Sequence, residues 1–69
     1  METLGNKLKE KRKDMKLTQV KIAEKLNINQ VTYQGYEKDK HLPDIKTLAL
    51  LADELHTSMD YLAGRYDRQ

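Results

Sequence analysis

The stretch Gln19–Lys38, QVKIAEKLNINQVTYQGYEK, holds two short amphipathic helical patterns hinged at Leu26, Asn27, Ile28 and Asn29. Its apolar positions are Ile22, Leu26, Ile28, Tyr33 and Tyr36, with the small Ala23 where two helices must approach closely. Together they make one buried seam through both helices. Asn27 falls where the chain must turn sharply, and Asn tolerates the left-handed conformation better than any residue but Gly. The seam leaves Gln30, Val31, Thr32, Gln34 and Gly35 facing outward on the second helix of the pair. These are uncharged, short or amide-bearing, whereas a solvated helix face normally carries Lys and Glu. A face of that composition is suited to touching something.

Outward from this stretch, the remaining pattern is also helical. Thr18 and Asn29 are each placed to cap a helix by accepting a first-turn N–H. Upstream, the spacing Leu4, Leu8, Met15 predicts a first helix over about residues 3–15, with Lys7, Lys9, Lys11 and Lys13 mostly outward. Its apolar stripe is too thin, and too poor in aromatic anchors, for a membrane-surface helix. Downstream, Lys38–Pro43 reads as a loop closed by proline. Asp44 then caps a helix in which Ile45, Leu48, Leu51, Ala52 and Leu55 share one face and Leu50 points away. Ser58 opens a last short helix with Met59 and Leu62 inward, ending at Gly64, and residues 65–69 are expected to fray. No strand pattern, internal repeat or low-complexity segment is present. The expected architecture is an all-α, compact five-helix bundle in a single domain over residues 1–69.

Composition narrows the function classes. Sixty-nine residues lie near the lower limit for a self-supporting core, and the chain has no Cys, Trp or Phe, so its core must be aliphatic with help from four Tyr. The net charge of +2 divides unevenly: residues 1–40 carry ten Lys/Arg and six Asp/Glu, giving +4, and residues 41–69 carry three and five, giving −2. The half with the hinged helices is therefore the half suited to a polyanion, although charge alone also fits a solvated face. No apolar run approaches the ~18 residues of a membrane span, and the N-terminal residues lack a signal-peptide core. A cytoplasmic location fits. An enzyme does not: Ser58 is better explained as a cap, and His41 and His56 have neither a Cys nor a carboxylate pair to work with. No cofactor, metal or small-molecule ligand is expected.

The chain resembles the XRE family of helix-turn-helix domains, of the phage-repressor, Cro and SinR type. The residues that carry the likeness run from Leu4-Gly5-Asn6-Lys7-Leu8 through Arg12, Leu17-Thr18-Gln19, Ile22-Ala23-Glu24-Lys25-Leu26, Tyr36-Glu37 and Pro43 to Ser58-Met59-Asp60-Tyr61-Leu62-Ala63-Gly64. The resemblance implies a lambda-repressor-like bundle whose motif spans about 18–38 and whose third helix enters the major groove of double-stranded DNA. Carried over residue by residue, it assigns base reading to Gln30, Val31, Gln34 and Gly35. DNA-backbone contacts fall to Thr18, Gln19, Thr32, Lys38 and Lys40, and a structural clamp to Arg12 and Glu37. Gln can donate to and accept from adenine in one plane and Val can pack on a thymine methyl, which points to an A·T-containing half-site. Three departures stand out. Asn27 replaces the usual turn Gly, and Tyr33 replaces an aliphatic. Gly35 stands where a long polar side chain is common, so that either a base contact is missing or the backbone approaches DNA closely.

The function these likenesses imply is sequence-specific transcriptional regulation, as a repressor acting as a dimer on a palindromic operator, the protein being bacterial or phage-encoded and nucleoid-associated when bound. Leu50, Tyr61 and Tyr66 are the candidate dimer patch, and an isolated exposed Leu is the alternative at position 50. The rival function is a repressor-like protein-interaction module, such as an antitoxin or anti-repressor partner, that keeps the fold but binds protein.

Overall fold

The computed structural model describes residues 2–64. Five helices follow in order: α1 (Leu4–Asp14), α2 (Gln19–Leu26), α3 (Gln30–Glu37), α4 (Ile45–Glu54) and α5 (Met59–Leu62), with no strand among the described residues. All are too short to persist alone in water, so tertiary packing holds them. Each begins on a side-chain cap: Thr3, Thr18, Asn29, Asp44 and Ser58 accept the N–H of Asn6, Lys21, Val31, Thr47 and Tyr61.

The helix ends share a device that residue type discloses only in part. After α1, α2, α3 and α4 a non-glycine residue takes positive φ: Lys16 at 58°, Asn27 at 57°, Asp39 at 59° and His56 at 54°. In each case the following N–H returns to a carbonyl in the last helical turn, Leu17 to Arg12, Ile28 to Ala23, Lys40 to Gly35 and Thr57 to Ala52. That is the Schellman stop, which satisfies carbonyls the helix end would otherwise orphan.

The core comprises Leu8, Ile22, Ala23, Leu26, Tyr33, Tyr36, Leu51, Ala52, Leu55 and Leu62. Half-buried Leu4, Met15, Leu17, Ile28, Leu48 and Met59 pack against it. α3 lies on α1 and α2, α2 also meets α4, and α5 closes the bundle between α4 and α1. The seam through α2 and α3 is thus buried as its spacing requires.

Two expectations fail here. Ile45 is 78% exposed. At 100° per residue it lies about 70° from the centre of the Leu48–Leu51–Ala52–Leu55 stripe, and the core starts one turn further along. Lys7, expected outward, is buried, its Nζ 5.3 Å from the Tyr61 ring centroid. The close approach of α1 to α3 depends on Gly5, where a Cβ would overlap the Glu37 carbonyl oxygen and stand 2.8 Å from Asp39 Oδ2. The Asp39 carboxylate accepts the Gly5 N–H at 2.9 Å and the Thr3 hydroxyl at 2.6 Å, placing a negative charge at the N-terminus of α1.

Candidate nucleic-acid interface

α3 is fixed at its C-terminal end by a buried carboxylate. Glu37 Oε2 accepts from Arg12 Nε at 2.6 Å and from the Tyr33 hydroxyl at 2.6 Å. Its Oε1 accepts from Arg12 Nη2 at 3.2 Å and from Gln19 Nε2 at 2.9 Å. Arg12 Nη1 donates in addition to the Leu17 carbonyl at 2.8 Å. One carboxylate therefore binds α3 to α1, to the first residue of α2 and, through Arg12, to the turn between them. The two charged side chains are 10% and 3% exposed, and no buried side-chain polar atom among the described residues lacks a partner.

The electrostatics follow from that geometry. Burial alone would push Glu37 up, but hydrogen bonds from Arg12, Tyr33 and Gln19, with the Arg12 charge, outweigh it and hold the carboxyl below its ordinary value. The Glu37 hydrogen bond raises Arg12 against the opposing effect of burial. Burial first, then the bond to Glu37, pushes the Tyr33 phenol far up, so it stays a protonated donor. Tyr33, unusual in size for its position, thus spends its hydroxyl inside the clamp.

The Arg12–Glu37 clamp is present as expected, and Gln19 joins it. The Gln19 side chain, expected at a phosphate, turns one amide N–H inward to Glu37. What the start of α2 offers a phosphate is its first-turn backbone N–H groups and the exposed Thr18, whose hydroxyl accepts from Lys21 and keeps its own proton to donate.

On the outer side of α3, Gln30 and Val31 are exposed, Val31 to 72%. Thr32 and Gln34 are half-buried, and Lys38 and Lys40 are exposed beyond the helix. At about 100° per residue Gln30, Val31 and Gln34 share one face of α3, and Lys38 is its C-cap. Gly35 departs from the outward placement that the helical period gave it. It is buried, and the imidazole of His41 covers it, so its outward face is occupied by protein. The helical period placed residue 35 beside Val31, but nothing in the period reveals the path of the following loop.

Of the candidate dimer residues, Leu50 is 43% exposed. Tyr61 is engaged within the fold: its hydroxyl donates to Glu10 at 3.2 Å, and the Lys7 and Lys11 ammonium groups stand over its ring. Tyr66 lies outside the described residues. No group of three or more His, Cys, Asp or Glu among the described residues is arranged to hold a metal ion, and no helix is long and apolar enough to cross a membrane.

Two helices crossing at a tight left-handed turn, the second with a polar uncharged face and a basic flank, define a helix-turn-helix domain. The family model for Helix-turn-helix matches residues 8–62, and the chain belongs to that family, in its XRE-type branch. It is 43% identical over 63 residues to the HTH-type transcriptional regulator ImmR of Bacillus subtilis (strain 168), an alignment covering 91% of this chain and 50% of the relative. It is 36% identical over 62 residues to the immunity repressor protein of Bacillus phage phi105, covering 90% and 43%. The transcriptional repressor RstR of the cryptic phage CTXphi in Vibrio cholerae is 35% identical over 63 residues, covering 91% and 56%. The chain thus spans about half the length of these curated relatives. Among solved structures, the P22 c2 repressor protein, crystallised with a synthetic operator, superposes with a TM-score of 0.89 at 23% identity over 94% of this chain and 98% of that one. That likeness confirms the five-helix fold.

Proposed function

We propose that this chain is a sequence-specific double-stranded DNA-binding transcriptional regulator, a repressor, which inserts α3 in the major groove and works as a homodimer on a palindromic operator. The observation that carries the reading is the uncharged outer face of α3, Gln30, Val31 and Gln34, framed by Thr18, Lys38 and Lys40 on a helix pair locked by a buried ion pair. Relatives at 35–43% identity that are named transcriptional regulators and repressors support it.

In this reading phosphate contacts position the protein and α3 reads bases. The first-turn amides of α2, Thr18, Thr32, Lys38 and Lys40 meet the sugar-phosphate chain. Gln30 and Gln34 address adenine N6 and N7, and Val31 packs against a thymine methyl. One α3 covers few base pairs, so a two-fold dimer places two such helices about 34 Å apart along the duplex. With Tyr61 committed to Glu10, Leu50 is the residue on which the dimer patch rests. The 69 residues serve as one helix-turn-helix domain acting in the bacterial or phage-host cytoplasm.

Selection of bound duplexes from a random pool tests the whole reading, since palindromy and spacing report the dimer as well as the sequence. Binding of the selected duplex should fall linearly in log–log with salt, at about −0.9 per phosphate neutralised. Absent or salt-insensitive binding refutes DNA recognition and leaves a protein partner as the function. Sedimentation of Leu50→Glu on that duplex should show the monomer, and an unchanged dimer rejects Leu50 as the contact.

A further inference from the structure

The loop after α3 turns back onto the helix it leaves. Asp39 takes positive φ, the Lys40 N–H bonds the Gly35 carbonyl at 2.9 Å, and the next residue lays its ring over Gly35. A Cβ on residue 35 would overlap Cε1 of His41 and lie 2.6 Å from Nε2 and 3.0 Å from Nδ1. The same ring meets Tyr36 edge to face, with centroids 5.2 Å apart at 78°. Its Nε2 stands 3.3 Å from the Thr32 carbonyl oxygen. A carbonyl only accepts, so Nε2 is the protonated nitrogen of this contact. Three residues of α3 thus hold one imidazole, although the His41 residue as a whole is exposed.

We propose that Gly35 and His41 form a lock that sets the DNA-backbone contacts, with His41 as a positioning residue and Gly35 as its seat; this rests on the DNA-binding reading above. The space over residue 35 is filled here from the loop. By seating on α3, His41 fixes the backbone of residues 38–42, and with it the points from which Lys38 and Lys40 reach the phosphates. A lysine ammonium on a four-carbon stem gains most from a fixed starting point, because less freedom is lost on contact. The lock also removes residue 35 from base reading and leaves that task to Gln30, Val31 and Gln34. Any side chain at 35 expels the ring, so Gly at 35 and His at 41 are one choice rather than two.

Double-mutant cycles on the selected duplex test this. His41→Ala should weaken binding on the order of tenfold, by the same factor on selected and unrelated duplexes, with Gly35→Ala comparable. Gly35→Ala/His41→Ala should bind no worse than His41→Ala. Adding His41→Ala to Lys38→Ala/Lys40→Ala should cost almost nothing further. Additivity in the first cycle makes Gly35 a reader and overturns the seat; additivity in the second makes the imidazole itself a DNA contact and overturns the positioning role. If Gly35→Ala does not fold, hydrogen exchange decides: the Lys40 amide should exchange faster in His41→Ala, and unchanged protection overturns the lock. A wild-type chain that binds while His41→Ala is silent refutes the lock alone. A wild-type chain that binds no duplex refutes the DNA reading instead.

Discussion

Replacing Tyr33 by Phe removes one oxygen from the centre of the molecule and isolates what the clamp contributes. The ring is fully buried and its hydroxyl donates to Glu37 Oε2 at 2.6 Å. A hydrogen bond to a charged group contributes about 1.5–3 kcal/mol. Because Phe fills the same volume and Glu37 keeps the Arg12 and Gln19 donors, the low end applies, about 1.5–2 kcal/mol. In a domain of this size each kcal/mol shifts Tm by about 4–8 °C, so Tyr33→Phe should melt roughly 6–16 °C below the parent at neutral pH. The assay is thermal unfolding by circular dichroism across pH. Glu37 has a depressed folded pKa, so its contribution is fully present above the unfolded carboxyl value of about 4.3 and is lost as pH falls through the folded one. Without the tyrosine donor that depression is smaller and there is less to lose. The gap between variant and parent should therefore be constant near neutrality and narrow as the pH is lowered through the carboxylate range. A Tm change under about 2 °C, or a gap of equal size at both ends of the pH range, refutes the argument.

Arg12→Met should cost about 3–5 kcal/mol in denaturant unfolding, because it leaves Glu37 buried without its cation; a loss below about 1 kcal/mol means the carboxylate reaches water. Gly5→Ala forces α1 from the Glu37 carbonyl and should destabilise by about 1–3 kcal/mol, and a neutral result shows that the helices separate freely. His56→Gly relieves a positive φ and should raise stability by about 1 kcal/mol, read from the denaturant midpoint at constant slope. Gln30→Ala should cost about 1–3 kcal/mol at its cognate base and relax preference there, whereas Lys40→Ala should weaken every duplex alike and shallow the salt slope; equal losses on all sequences for Gln30→Ala reject base reading.

The parts of this fold that the sequence discloses are those decided by one residue's chemistry. A cap needs a side-chain oxygen at one position, so Thr18, Asn29, Asp44 and Ser58 could be read directly. The buried seam needs a period, and Ile22, Leu26, Tyr33 and Tyr36 supply it. Helix stops are different. The left-handed conformation costs a non-glycine residue only about 1–2 kcal/mol, which the two backbone bonds of a Schellman turn offset, so Lys16 adopts it without a signal in its identity, and Asp39 and His56 with only the weak preference of their residue types. Arg12 and Glu37 follow from the family resemblance, but Gln19 and Tyr33 converge on the same carboxylate from different places, and no single period encodes that. Tyr33 and Glu37 do stand four apart on one helix, the spacing at which side chains meet, and this was the available clue. Gly35 misled because a helical wheel knows nothing of the loop that folds over it.

The clamp carboxylate, Glu37, is the last residue of α3, and its directional bonds add what an apolar seam cannot. An apolar seam fixes the distance between helices well but resists rotation about the helix axis weakly, since apolar contacts have no preferred direction. A carboxylate taking three directional bonds from α1 and α2, beside one from Tyr33 on its own helix, resists rotation as well as slide. The gain is not large in stability, because desolvation consumes much of what a buried pair contributes. It is geometric. Side chains extend about 5–6 Å from a helix axis, so a turn of α3 by about 20° would move the tips of Gln30 and Gln34 by roughly 2 Å. A hydrogen bond to a base edge tolerates a few tenths of an ångström. Holding α3 at Glu37 with Arg12 and Gln19 thus keeps the angle of the face proposed to read DNA within what base recognition requires.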